Sequence, residues 1–285
     1  MPRLGGARGS AARAVLAGAL IVALPGIVMI AAVPATSHAE ELLRVDVGDG
    51  ATAPYLLAVP AAGAQAVAIL FPGGAGKFDL ASAAGKLTQA RGNFLIRSRG
   101  YFVDRGVATA VLDAPSDHPG GMPDDFRLGA RHAADVAAIV ADVKTRVSGV
   151  PVFLVGTSRG SVSAASVSAR IGDAVAGVVL TSSMYRATHP RSREPGLGLS
   201  RFDFASIKIP VLLVHHRDDA CASTPYTDAR SLSKRFPLVT VMGGRPAESD
   251  PCQAMSAHGY LGKEVETVDA IAAWMLGKPY PTEVE

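Results

Sequence analysis

Six continuous apolar runs constrain the fold of this chain more than any other feature of its sequence: "AVAILF" (66–71), "VATAVLDA" (107–114), "PVFLV" (151–155), "AVAGVVLT" (174–181), "PVLLVHH" (210–216) and "PLVTVM" (237–242). None alternates apolar with polar residues, so each reads as a strand buried on both faces. The stretches between them carry helical periodicity. In "ARHAADVAAIVADVKTRV" (130–147), Ala133, Val136, Ala137, Val140 and Val143 share one stripe. "RGSVSAASVSAR" (159–170) is built of small residues that can pack closely on a sheet, and Lys263 to Met275 turns Val265, Val268, Ile271, Ala272 and Met275 inward. Strands separated by helices of this length form βαβ units. The predicted fold class is therefore α/β, a mostly parallel central sheet flanked by helices on both faces, preceded by two opening strands at 42–47 and 55–60.

The segment 184–206 lacks a clean period and is rich in proline, glycine and charge. It reads as a surface excursion lying over the carboxyl ends of the strands. It is too short for a large cap domain.

Residues 1–39 read as an export signal. Arg3, Arg8 and Arg13 precede the apolar "AVLAGALIVALPGIVMIAAV", and "ATSHA" supplies small residues for cleavage after Ala39. The domain proper is then 40–285, periplasmic or secreted. An uncleaved membrane anchor is the alternative, although Pro25 and Gly26 interrupt the run. The chain's formal charge is +3, and all three arginines of 1–39 leave with the signal, so 40–285 is neutral. That balance points away from nucleic acid and anionic lipid, and membrane contact is expected only through the export signal. Export also places Cys221 and Cys252 where a disulfide can persist. Two cysteines so far apart, without paired histidines, do not make a zinc site, and no metal or other cofactor is expected.

"VFLVGTSRGS" (153–162) sets Ser158 between Gly156 and Gly160, after an apolar run and before a helical one. A serine on such a strained strand-to-helix turn projects its hydroxyl above the sheet edge. Minimal side chains two positions either side are what that conformation requires. A hydroxyl needs a base to act as a nucleophile. "VLLVHHRDDACASTPY" ends a buried strand in an acidic turn, and "DPCQAMSAHGYLGKE" places His258 just before the last helix. Serine, then acid, then histidine is a chain order distinct from those of the chymotrypsin and subtilisin folds.

From about residue 66 to 276 the chain resembles the α/β-hydrolase superfamily, and within it exported bacterial dienelactone-hydrolase-like or oligopeptidase-like serine hydrolases. The residues that carry the resemblance are "FPGGAG" (71–76), "GTSRG" (156–160), "VHHRDDACASTPY" (214–226) and "HGY" (258–260). It implies Ser158 as nucleophile, His258 as base and an aspartate as the acid. The family strand ends in His-Gly with the acid three positions further on. His216 stands at that glycine position, which gives Asp219, with Asp218 as the alternative. The resemblance also implies an oxyanion hole from the backbone N–H of Arg159 and one N–H of the "FPGGAG" loop, Gly74 or Ala75. A phosphate cradle is the rival reading of that loop, but the lysine and hydroxyl of a P-loop are missing at the right spacing, and Lys77 does not supply them. A Cys221–Cys252 bridge would clamp the acid-bearing loop to the histidine-bearing loop.

The implied activity is hydrolysis of small-molecule carboxylic esters through an acyl-enzyme. The alternatives are an oligopeptidase-type serine peptidase and a catalytically silent binding protein on the same scaffold. Arg97, Arg99 and Arg127 read as solvated helix charges rather than substrate contacts. Acyl chain length, leaving group and oligomeric state are left open.

Overall fold

The computed structural model describes residues 38–80, 92–188 and 196–285. The export segment, up to residue 37, and residues 189–195 of the excursion lie outside the described residues. Among the described residues no helix is long and apolar enough to cross a membrane.

The apolar runs become one nine-stranded sheet: β1 (Glu40–Gly48), β2 (Ala51–Ala58), β3 (Ala66–Phe71), β4 (Val107–Leu112), β5 (Val152–Thr157), β6 (Gly177–Thr181), β7 (Val211–His216), β8 (Leu238–Val241) and β9 (Glu283–Val284). Their spatial order is β1-β2-β4-β3-β5-β6-β7-β8-β9. The pairs β1–β2 and β2–β4 are antiparallel. All pairs from β4 through β3 to β9 are parallel.

Among the described residues six α-helices flank the sheet: α1 (Phe94–Asp104), α2 (Asp124–Leu128), α3 (Ala130–Arg146), α4 (Gly160–Arg170), α5 (Tyr226–Leu232) and α6 (Glu264–Met275). One face of the sheet, with Val67, Ile69, Leu154, Val178 and Leu213, packs against α3 and α4. The other, with Ala68, Leu70, Val155, Val179 and Val214, packs against α1 and α6. Successive strand side chains point to opposite faces. With helices on both, every position of β3 to β7 is buried, which is why their sequences do not alternate.

The structure amends the expected elements in several places. Val265 is 39% exposed rather than inward, because α6 starts at Glu264 and its first turn stands clear of the sheet. Ile139 is buried in the stripe of α3, whereas Ala137 is only half-buried. The excursion is not wholly at the surface, since Met184, Tyr185 and Leu199 are buried. Helices α2 and α5 and strand β9 are too short to set up a period in the sequence.

Order and connectivity together locate the working edge of the sheet. From β3 the chain crosses to β4 on one side, then passes back to β5 on the other. A doubly wound sheet opens a crevice at the carboxyl ends of its strands where the winding direction reverses. Here that point lies between β3 and β5, so the loop after Phe71 and the turn at Ser158 flank it.

Candidate active site

The Ser158 turn is held by close approach of backbones. Ser158 has φ +53°, a left-handed conformation unfavourable for a residue with a side chain. Its N–H donates to Thr181 O (3.1 Å), tying the turn to the end of β6. A Cβ at Gly160 would lie 1.9 Å from Phe71 O, and one at Gly156 would lie 2.5 Å from Gly160 O. Both glycines let α4 start directly against β3. The positive end of the α4 dipole therefore sits beneath the serine.

At the end of β7 the two aspartates diverge. Asp218 is exposed and 3.7 Å from Arg217. Asp219 turns inward, and its Oδ2 lies 2.9 Å from His258 Nδ1. The same oxygen accepts from Thr224 Oγ1 (2.8 Å), and Oδ1 accepts from the Cys221 N–H (3.0 Å). His215 Nε2 lies 3.4 Å from Oδ2 and donates to Thr224 O (2.8 Å). Burial alone would raise the Asp219 carboxyl, but the hydrogen bonds and charges of His215 and His258 outweigh it and hold the group well below the usual carboxylate range.

His258 stands in a short turn, Ala257–Gly259, whose start is capped by Ser256 accepting from the His258 N–H (3.2 Å). Tyr260 follows with φ +59°, and its hydroxyl donates to Val214 O (2.8 Å), fastening the turn to β7. Arg97 donates to Gly259 O and, through Nε, to Glu264 Oε1 (3.0 Å). Cys221 and Cys252 form a disulfide with Cα atoms 4.6 Å apart. It joins the loop of Asp219 to the loop of His258.

The structure thus brings the acid and the histidine together. Among the described residues, Ser158 Oγ and His258 share no hydrogen bond, and His258 has Nε2 left to face a partner once Nδ1 is engaged by Asp219. Gly74 and Ala75 lie on the loop that packs against Ser158, where a Cβ at Gly73 would be 2.9 Å from Ser158 Cβ. Arg159 adjoins the serine, and its buried guanidinium pairs with Asp124 Oδ1 at 2.6 Å. Asp124 Oδ2 accepts from Gly198 N–H (2.8 Å), which draws the excursion to the site as expected. Among the described residues no group of three His, Cys, Asp or Glu could hold a metal ion.

Of the three arginines read as solvated helix charges, Arg127 and Arg97 are not that, while Arg99 makes an exposed pair. Arg127 is fully buried. Arg97 is only 15% exposed and pairs with Glu264, and Arg99 pairs with Glu40. Thr224 and His215, which surround the acid, were not foreseen. A threonine five positions beyond an aspartate carries no signal until the loop between them is seen to curl back.

Residues 121–240 match a family model described as serine aminopeptidase, S33. Est1E from Butyrivibrio proteoclasticus superposes with TM-score 0.57 at 16% identity, over 83% of this chain and 98% of that one. The chain has the α/β-hydrolase fold. A lidless α/β serine hydrolase from Xanthomonas campestris has TM-score 0.55 at 13% identity (84% and 94% covered). Dienelactone hydrolase from Anabaena variabilis has TM-score 0.52 at 18% identity (84% and 96%). At these identities the likenesses are ones of fold. None of the curated protein sequences compared with it matches.

Proposed function

We propose that this α/β-hydrolase is a serine hydrolase that cleaves carboxylic esters through an acyl-enzyme on Ser158. His258 takes the serine proton on Nε2 as the oxygen attacks the carbonyl, and Asp219 orients the imidazole and stabilises its charged form. The N–H of Arg159 and one from the Gly74–Ala75 segment receive the developing oxyanion. His258 returns the proton to the departing alcohol, then takes one from the water that releases the acid. The observation that carries this reading is the 2.9 Å contact of His258 Nδ1 with Asp219 on the same sheet edge as the strained Ser158 turn. The contact between base and nucleophile tightens when substrate binds, as such contacts do.

Residues 1–39 are the export signal in this reading and 40–285 the exported domain. β1 begins at Glu40, so cleavage after Ala39 leaves the sheet whole. The Cys221–Cys252 disulfide suits an oxidising compartment outside the cytoplasm.

A peptidase reading is favoured by one observation, the match of 121–240 to a model described as a serine aminopeptidase. Turnover of short p-nitrophenyl esters against aminoacyl amides decides between them, with ester turnover dominant on the present proposal. Covalent labelling of Ser158 by a fluorophosphonate separates both from a silent binding protein. No labelling, with no ester turnover, would end the hydrolase reading.

A further inference from the structure

Arg127 is the largest fully buried side chain of the described residues. A buried guanidinium is costly unless its donors meet acceptors. Nε donates to Met122 O (2.8 Å), Nη1 to Ser163 Oγ on α4 (3.0 Å), and Nη2 to Gly74 O (3.0 Å). The Met122 N–H returns to Ala75 O (2.8 Å). Two consecutive carbonyls of the loop after β3 are therefore held from the same side of the structure.

The consequence lies in peptide geometry. Among the described residues no cis peptide is present. In a trans peptide the C=O of one residue and the N–H of the next point in opposite directions. Fixing Gly74 O on Arg127 turns the Ala75 N–H away from the guanidinium. Among the described residues neither that N–H nor the Gly74 N–H has an acceptor, and the Gly74–Ala75 peptide is the one whose orientation Arg127 fixes. The loop meanwhile packs on the serine: a Cβ on Gly73 would lie 3.5 Å from Ser158 Oγ. The positive φ of Gly74 and Gly76 (+67° each) allows the chain to reverse around this one peptide.

We propose that Arg127 is a positioning residue for the oxyanion hole: by holding Gly74 O it selects the Ala75 N–H, rather than that of Gly74, as the second oxyanion donor. The inference rests on the serine-hydrolase reading and goes beyond it. The guanidinium also polarises the peptide it grips, which strengthens the N–H at its other end as in other hydrogen-bonded chains. Arg127 does not touch substrate and acts through the loop.

The test uses the intact protein and R127M and R127K, with p-nitrophenyl acetate as substrate and a fluorophosphonate as the serine probe. With R127M folded by its melting transition, kcat is expected to fall on the order of 10²-fold, the cost of losing one oxyanion donor. KM stays within about twofold, because the interaction belongs to the transition state. R127K, which keeps a charge near Gly74 O, recovers part of the loss. A merely structural arginine would lower the melting temperature without this split. A folded R127M with parental kcat overturns the proposal.

If R127M does not fold, the parent protein labelled with ¹⁵N at alanine and glycine still decides. On phosphonylation of Ser158 the Ala75 amide proton moves downfield while that of Gly74 stays. Movement of Gly74 instead overturns the assignment. A parent that neither reacts with the probe nor turns over ester removes the hydrolase reading and this inference together, an outcome distinct from failure of Arg127 alone.

Discussion

The N–H of Cys221 donates to Asp219 Oδ1 at 3.0 Å, so the residue that carries one end of the disulfide also holds the Asp219 carboxylate. The other end, Cys252, belongs to the loop that presents His258. The bridge therefore constrains the Asp219–His258 contact as well as the unfolded chain.

Replacing both cysteines by serine should cost about 3–4 kcal/mol of stability on the chain-entropy account of a loop this long. Because the acid and base loops would then move apart, kcat should fall about tenfold even well below the lowered melting temperature. Urea unfolding and ester turnover on the purified double variant check this. Undiminished kcat would show that Asp219 and His258 hold together without the bridge.

Ser158 carries its backbone strain whatever its side chain does. S158A should abolish turnover, by roughly 10⁴ to 10⁶-fold, and leave stability within about 0.5 kcal/mol, since alanine bears the same φ. S158G should be equally inactive but more stable by about 1 kcal/mol, because glycine adopts positive φ without penalty. Parallel melting curves of the three proteins read the difference.

Arg97 holds the carbonyl directly after His258 and is itself held by Glu264. R97M keeps the packing of the stem and removes these bonds together with the one Nη1 donates to Gly92 O. It should lower kcat about tenfold by letting the histidine turn drift, and the effect of E264Q on top of it should be small, since the two residues act as one unit. A double-mutant cycle on kcat/KM tests the coupling. Full additivity would separate the pair.

His132 packs between Phe71 and Phe126 with Nε2 buried and unpartnered among the described residues. Burial first, then the positive charges of Arg127 and His118, push its pKa down to about 3. The folded protein thus refuses a proton that the unfolded chain accepts below about pH 6.5. Stability is highest above that pH and is lost between about 6.5 and 3, by up to about 1.4 kcal/mol per pH unit. Asp219 has a depressed value, so its contribution is present above about pH 4 and disappears only below it. Between pH 7.5 and 4.5 the histidine term stands alone of the two. H132F should therefore lose roughly 2 kcal/mol less than the parent over that interval, measured by urea unfolding at both ends. Equal losses would show that His132 protonates in the folded state.

Much of the architecture follows from the chain itself. Continuous apolar runs of five to eight residues, spaced by helical stripes, admit few arrangements other than a covered parallel sheet. The flanking glycines of Ser158 likewise announce a turn that no larger residue tolerates. These signals are local, since each is written within a dozen consecutive positions. What the tertiary structure decided is non-local. It turned the Asp219 carboxylate inward while leaving Asp218 exposed, enclosed the Asp219 carboxylate with Thr224 and His215, and buried Arg127 where composition suggested solvent. Hydrogen bonds across 39 residues, as between Asp219 and His258, or 53, as between Arg127 and Gly74, depend on where the sheet brings its loops together, and periodicity along one segment carries no record of that meeting.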